Sequence, residues 1–286
     1  MSERPLDRRL NAFRPDLADA RLMGQVTAQR FVEPEPAAIA VPVADLRAAP
    51  RAEAGVDTQL LHGDAVHVFE RRGGWAWVQA LRDGYVGYVA VAALGPPQPP
   101  PSHVVCVPRS FVYPEPELKA PAIAAHSMGA RLRVTGEEER RGTRYALLGS
   151  GGAMIARHLR PVERHDGDYV SVAEQFLHTP YLWGGASGFG IDCSGLVQLA
   201  MFMAGRQVPR DTDMQAAAVG TPLDAEAGLR RGDLVFWRGH VAVMTDGSSL
   251  IHANGYTMTV SREPLAEAIR RIAALYGEPT GYRRPR

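Results

Sequence analysis

An α+β domain preceded by two small antiparallel β-barrels is the fold that this 286-residue sequence predicts. Three observations carry the prediction. Short runs of alternating apolar and polar residues, punctuated by Gly, Asp and Arg, fill residues 41–89. The same pattern returns beyond residue 103 at an offset of about 66 residues, the mark of a tandem repeat. From Asp166 onward helical periods come first and strand-like runs follow, which is the order of an α+β domain and not of an alternating parallel sheet.

Bulk properties narrow the classes. The length suits two or three domains, and 45% hydrophobic with 22% charged residues is ordinary globular usage. A formal net charge of +1 offers no electrostatic footprint for nucleic acid or an anionic membrane, so neither is expected as a partner. Lys119 is the only lysine, which reads as coding bias. Two cysteines make no disulfide framework. Cys106 lies in the apolar run His103–Pro108 and reads as a small buried hydrophobe. The first ten residues lack a signal-peptide core, and no window approaches the roughly 20 apolar residues of a membrane span. The expectation is a cytoplasmic protein without cofactor. Its oligomeric state is not legible.

Residues 1–36 form an N-terminal arm with a short helical period at Leu10, Phe13, Leu17 and Ala20–Leu22, closed by Glu33-Pro-Glu-Pro36. The first barrel occupies 37–96. Its strands are expected at Val41–Arg47, Gly63–Phe69, Trp75–Gln79 and Tyr85–Val89. Gly95–Ser102 is a stiff proline-rich linker. In the second barrel, 103–162, Val107–Tyr113 echoes Val41–Arg47, Gly129–Val134 echoes Gly63–Val68, and Ala156–Leu159 echoes Val91–Leu94. The repeat resembles bacterial SH3 modules through Val43-Ala-Asp-Leu-Arg47 and Gly84-Tyr-Val-Gly-Tyr-Val89. The second copy lacks the tryptophans. The third domain, 166–286, opens with a helix over Val170–Leu177 and a second over Asp192–Ala204, stopped by Gly205. Strands are expected at Asp233–Trp237, His240–Thr245 and Ser249–Ala253.

The chemistry centres on Tyr181-Leu-Trp-Gly-Gly185 and Gly190-Ile-Asp-Cys-Ser-Gly195. Asp192 is a good N-cap, which puts Cys193 in the first turn of an apolar helix. A helix N-terminus lowers a thiol pKa from about 8.5 and offers N–H groups to an oxyanion. A buried cysteine at a helix start is the plain alternative. His240 heads one strand and His252 lies on the next, across the tight turn Asp246–Ser249, so the two imidazoles can meet. Nucleophile, base and orienting group are what a cysteine peptidase needs. Zinc would require a second close ligand, which Cys193 lacks, so no metal is expected.

Asp192-Cys-Ser-Gly-Leu196, Arg231-Gly-Asp-Leu-Val-Phe236, His240-Val-Ala-Val243 and Ile251-His-Ala253 resemble, in order and spacing, the NlpC family of bacterial cell-wall cysteine peptidases. The resemblance covers about residues 168–286. It implies a papain-like α+β fold with Cys193 as nucleophile, His240 as base and His252 as the orienting residue. It further implies that the Tyr181 hydroxyl assists at the reacting carbonyl and that Trp183, Asp192, Ser194 and Thr212 line the substrate pocket. Asp192 then has two duties open to it, cap and ligand contact.

Members with two SH3 modules resemble γ-D-glutamyl-L-diamino-acid endopeptidases. The resemblance implies murein peptides, L-Ala-γ-D-Glu-diamino acid, as the partner, in peptide recycling. In that subgroup the first module reads the free amino group of L-Ala. Asp64, in Gln59-Leu-Leu-His-Gly-Asp64, and Tyr85 match the positions concerned, although Asp is shorter than the usual Glu. A carboxylate suits an ammonium; a solvated turn aspartate is the plain alternative. Two other readings are a periplasmic hydrolase or amidase acting on intact wall, and an inactive wall-binding adaptor.

Overall fold

The structure is a computed structural model and describes residues 6–224 and 228–285. It divides into two compact units, residues 1–105 with 109–162, and residues 106–108 with 163–286.

In the N-terminal unit, seven strands form one antiparallel sheet in the spatial order Val56–Leu61, Val43–Arg47, Val86–Ala90, Trp75–Ala80, Ala65–Arg72, Glu35–Ile39, Leu94–Gly95. Alternation does what the sequence implies: Ile39, Leu46, Leu60, Val66, Val78 and Val89 share one buried core. Glu35–Ile39 begins inside the segment read as the arm, and Val56–Leu61 had no clear signal. A register shift between Val68 and Glu70 turns Phe69 to the other face, where it meets Trp77, Val86, Ala12 and Leu17.

That second apolar face explains the arm. It is not a helix: Leu17–Asp19 pairs in parallel with Arg30–Val32, joined through a single 3₁₀ turn at Ala20–Leu22. Pro15 interrupts the helical period, and burial of Ala12 and Leu17 against the sheet outweighs local propensity. The Arg14 guanidinium stacks 4.3 Å from the Trp77 ring centroid and pairs with Glu70 at 2.8 Å.

Residues 103–161 repeat the strand order of the first sheet, split into a five-stranded part (Ala124–Ser127, Arg109–Tyr113, Ala153–Ile155, Thr143–Leu148, Val134–Arg140) and a three-stranded part (Arg131–Leu132, His103–Val105, Leu159–Pro161). Ala156–His158 is a 3₁₀ turn, and only Leu159 of that run is strand. Cys106 is half-buried just past His103–Val105, not a core residue. Gly63, at φ +82°, lets the two sheets touch: a Cβ there would lie 2.3 Å from the Arg131 carbonyl oxygen.

In the C-terminal unit, helices α1 (Tyr169–Glu174), α2 (Cys193–Met203) and α3 (Thr212–Ala218) precede or interleave a six-stranded antiparallel sheet. Its strands are β1 (Thr221–Leu223), β2 (Leu234–Trp237), β3 (His240–Met244), β4 (Ser249–Asn254), β5 (Thr259–Pro264) and β6 (Gly281–Arg284), in the order β1-β6-β2-β3-β4-β5. Helix α4 (Leu265–Tyr276) packs Ala268 and Ile272 on Val235, Trp237, Ala242, Met244 and Leu250 of one sheet face. Helix α2 is buried along nearly its whole length and packs on β3 and β4, which is why its apolar stretch shows so little amphipathic period. The outer strands, α3 and α4 were not anticipated.

Candidate active site

The site is built on the start of α2. Asp192 caps it, its Oδ1 accepting from Gly195 N–H at 2.7 Å and its Oδ2 from Gly184 N–H at 3.0 Å. Gly195 is needed here: a Cβ would lie 2.4 Å from the Gly185 carbonyl oxygen, so only glycine lets the helix start close on the preceding loop. Cys193 is the first helical residue and is 7% exposed. Its sulfur accepts from the backbone N–H of Val241, next in the chain to His240, and lies 3.9 Å from the Thr212 hydroxyl at the start of α3.

The histidines meet. His240 Nε2 is 2.8 Å from His252 Nδ1, and His252 Nε2 lies 2.7 Å from Glu263 Oε1 on β5, a close contact bent at the N–H. A carboxylate only accepts, so His252 carries its proton on Nε2 and offers Nδ1 as acceptor. His240 then donates from Nε2, which leaves its Nδ1 lone pair to take a proton.

Arg210 is the residue that sequence reasoning missed. It is 1% exposed and grips Asp192 with two bonds, Nη1 to Oδ1 at 3.0 Å and Nη2 to Oδ2 at 2.7 Å, while Nη1 also donates to Ser194 Oγ at 2.7 Å. It sits in Gln207-Val-Pro-Arg-Asp-Thr212, an irregular loop without period or motif, and only its burial marks it. Tyr181 is half-buried and anchored by its N–H to the Met258 carbonyl at 2.9 Å; burial, with Cys193 nearby, raises its hydroxyl pKa. Trp183 is 72% exposed. Thus Tyr181, Asp192, Ser194 and Thr212 gather about Cys193, and Trp183 stands at the surface of the same loop.

Asp64 and Tyr85 belong to the N-terminal unit, and both are buried. The Asp64 carboxylate is 1% exposed, accepts from Leu61 N–H at 2.8 Å and lies 3.2 Å from Arg82 Nη1. It is not a solvated turn: Oδ2 makes both of those contacts, and Oδ1 is buried with no hydrogen-bond partner among the described residues.

Residues 178–273 match the NlpC/P60 family model, and residues 46–94 match that of the bacterial dipeptidyl-peptidase Sh3 domain. The C-terminal domain is an NlpC/P60 domain, of a cysteine peptidase family. Among relatives of the chain, a γ-D-glutamyl-L-lysine dipeptidyl-peptidase of Bacillus subtilis is 36% identical over 38% of this chain and 40% of its own. The protein of the same name from Bacillus cereus is 28% identical over 73% of this chain and 71% of its own, and dipeptidyl-peptidase 6 of Lysinibacillus sphaericus is 32% identical over 43% and 49%. Two of these three relatives are therefore matched over less than half their length. The fold is also that of the crystal structure of an NlpC/P60 family protein from Bacillus cereus, with a TM-score of 0.73 at 23% identity over 88% of this chain and 99% of that one.

Within the NlpC/P60 domain the electrostatics depart from the helix-terminus expectation. Burial pushes the Cys193 thiol up to about 11, with the Asp192 carboxylate adding and the Val241 N–H and Thr212 hydroxyl opposing. Burial likewise pushes His240 down to about 3, helped by His252 and Arg271. Both shifts favour the neutral forms at pH 7, a thiol beside a free base over a preformed ion pair. Iodoacetamide alkylation of Cys193 should accordingly rise about tenfold per pH unit from pH 6 to 9, following thiolate fraction. A plateau reached near pH 7 would show a stable thiolate–imidazolium pair instead.

Proposed function

We propose that this chain is a cysteine peptidase that acts on peptidoglycan-derived peptides, hydrolysing the bond between γ-D-glutamate and an L-diamino acid in peptides that begin with L-Ala. One observation carries the reading: Cys193 opens a capped helix with its sulfur on the Val241 N–H, beside a His240–His252 pair at 2.8 Å. The names of the two γ-D-glutamyl-L-lysine dipeptidyl-peptidases support the bond, and the dipeptidyl-peptidase names favour a free amino end. We assign the reaction to recycling of wall fragments on the size of that peptide. We also read residues 103–162 as a second SH3-like module, on the repeated strand order.

His240 Nδ1 takes the thiol proton as sulfur attacks the γ-carbonyl. The first-turn N–H groups of α2 other than that of Gly195, which the Asp192 cap holds, and the Tyr181 hydroxyl receive the oxyanion. The C–N bond breaks as His240 returns the proton to the leaving amine, and water, deprotonated by His240, releases the acid and restores the thiol.

L-Ala-γ-D-Glu-diaminopimelate should be cleaved to L-Ala-D-Glu and diaminopimelate, and its N-acetylated form should not. Cleavage of neither overturns the reading, and equal rates on both remove the requirement for a free amino end.

A further inference from the structure

The reading of His240 as a base requires that its proton be held on Nε2. We infer that Glu263 is a positioning residue, a fourth member of the Cys193–His240–His252 line that sets the tautomer of both histidines. The inference rests on the proposed peptidase chemistry, but its geometry stands apart from any substrate.

The placement follows from strand register. Strands β4 and β5 pair with Leu250 opposite Glu263 and His252 opposite Ser261, so Glu263 and His252 are diagonal neighbours on one face of the sheet. The His252 side chain is fully buried, with its two nitrogens the only polar atoms on the ring. One nitrogen meets His240 at 2.8 Å and the other meets Glu263 at 2.7 Å. An imidazole between another imidazole and a group of fixed polarity has its tautomer set by that group. Here the group is a carboxylate. Burial works against its ionisation, but bonds to His252 and Arg271 outweigh it and hold it below the usual range.

Arg271, on α4, completes the anchoring. Its guanidinium pairs with Glu263 Oε1 and stacks 4.5 Å from the Tyr256 ring centroid. Because arginine only donates, it keeps an acceptor oxygen facing itself. That same oxygen, Oε1, meets His252 Nε2, so an apolar methionine at position 263 would remove the acceptor that holds the His252 proton there. His252 would then protonate on Nδ1, His240 would protonate on Nδ1 in turn, and the nitrogen that must receive the thiol proton would be blocked.

The test is Glu263→Met, which roughly conserves side-chain volume and offers no acceptor. We expect kcat on L-Ala-γ-D-Glu-diaminopimelate to fall by about 100-fold or more with KM little changed, as for other orienting partners of a functional histidine. Histidine ¹⁵N chemical shifts should show both His240 and His252 protonated on Nε2 in the wild-type chain at pH 7 and on Nδ1 in the variant. A variant with wild-type kcat overturns the inference and leaves the peptidase reading intact. Wild-type shifts showing His252 protonated on Nδ1 overturn it as well, and that measurement holds even if the variant does not fold or the peptide is not the substrate.

Discussion

Cys193→Ala should abolish hydrolysis of L-Ala-γ-D-Glu-diaminopimelate, with kcat down by about 10⁴-fold or more, while the chain remains folded. The size of the effect follows from the role: with no sulfur there is no acyl-enzyme, and His240 can only direct water at the γ-carbonyl. The fold should tolerate the change because alanine suits α2 and the lost contacts are a long 3.9 Å approach to Thr212 and a sulfur-accepted bond from Val241. Single-turnover rates measured beside the thermal unfolding curve check both halves. A variant that still hydrolyses the peptide at the wild-type rate would remove Cys193 as nucleophile. A binding adaptor would instead show peptide binding without turnover in the wild-type chain.

Arg210→Met should be the most damaging single change to the stability of the NlpC/P60 domain, by about 3–5 kcal/mol, the usual cost of breaking one half of a buried ion pair. Arg210 is almost wholly enclosed and pairs with Asp192 through two short bonds, so its loss strands a buried carboxylate on the cap of α2. Gly184 N–H and Gly195 N–H still serve that carboxylate and soften the loss. Removing both charges in Asp192→Leu/Arg210→Met should destabilise less than the sum of the two single changes. Calorimetry of the full chain, with the transition of the C-terminal unit compared across the four proteins, measures the coupling. Additive effects would show that the pair is not energetically linked.

Much of the chain was legible because its signals are local. The alternation of Gly63–Phe69, Trp75–Gln79 and Tyr85–Val89 reports a half-buried strand from within each strand. The capped start of α2 is read from Asp192, and the juxtaposition of His240 and His252 from the shortness of Asp246–Ser249. The helical period of the arm failed because the face that buries Ala12 and Leu17 belongs to a sheet whose bulge at Phe69 leaves little trace in the sequence. The solvated-turn alternative for Asp64 failed for a related reason: a Gly-Asp turn looks open until Arg82 is brought against it.

The same division runs through the site. The amino-acid sequence by itself determined which residues can do the chemistry, a thiol at a helix start and two imidazoles on neighbouring strands, since each depends on contacts within a few residues. Only the tertiary structure decided their state. Enclosure of Cys193, with the Asp192 carboxylate, pushes the thiol up against the Val241 N–H and the Thr212 hydroxyl, because taking a charge out of water costs more than those two bonds return. Arg210 and Glu263, from a loop and a strand end with no motif of their own, become part of the site only when folding leaves Asp192 and His252 buried and in need of a partner.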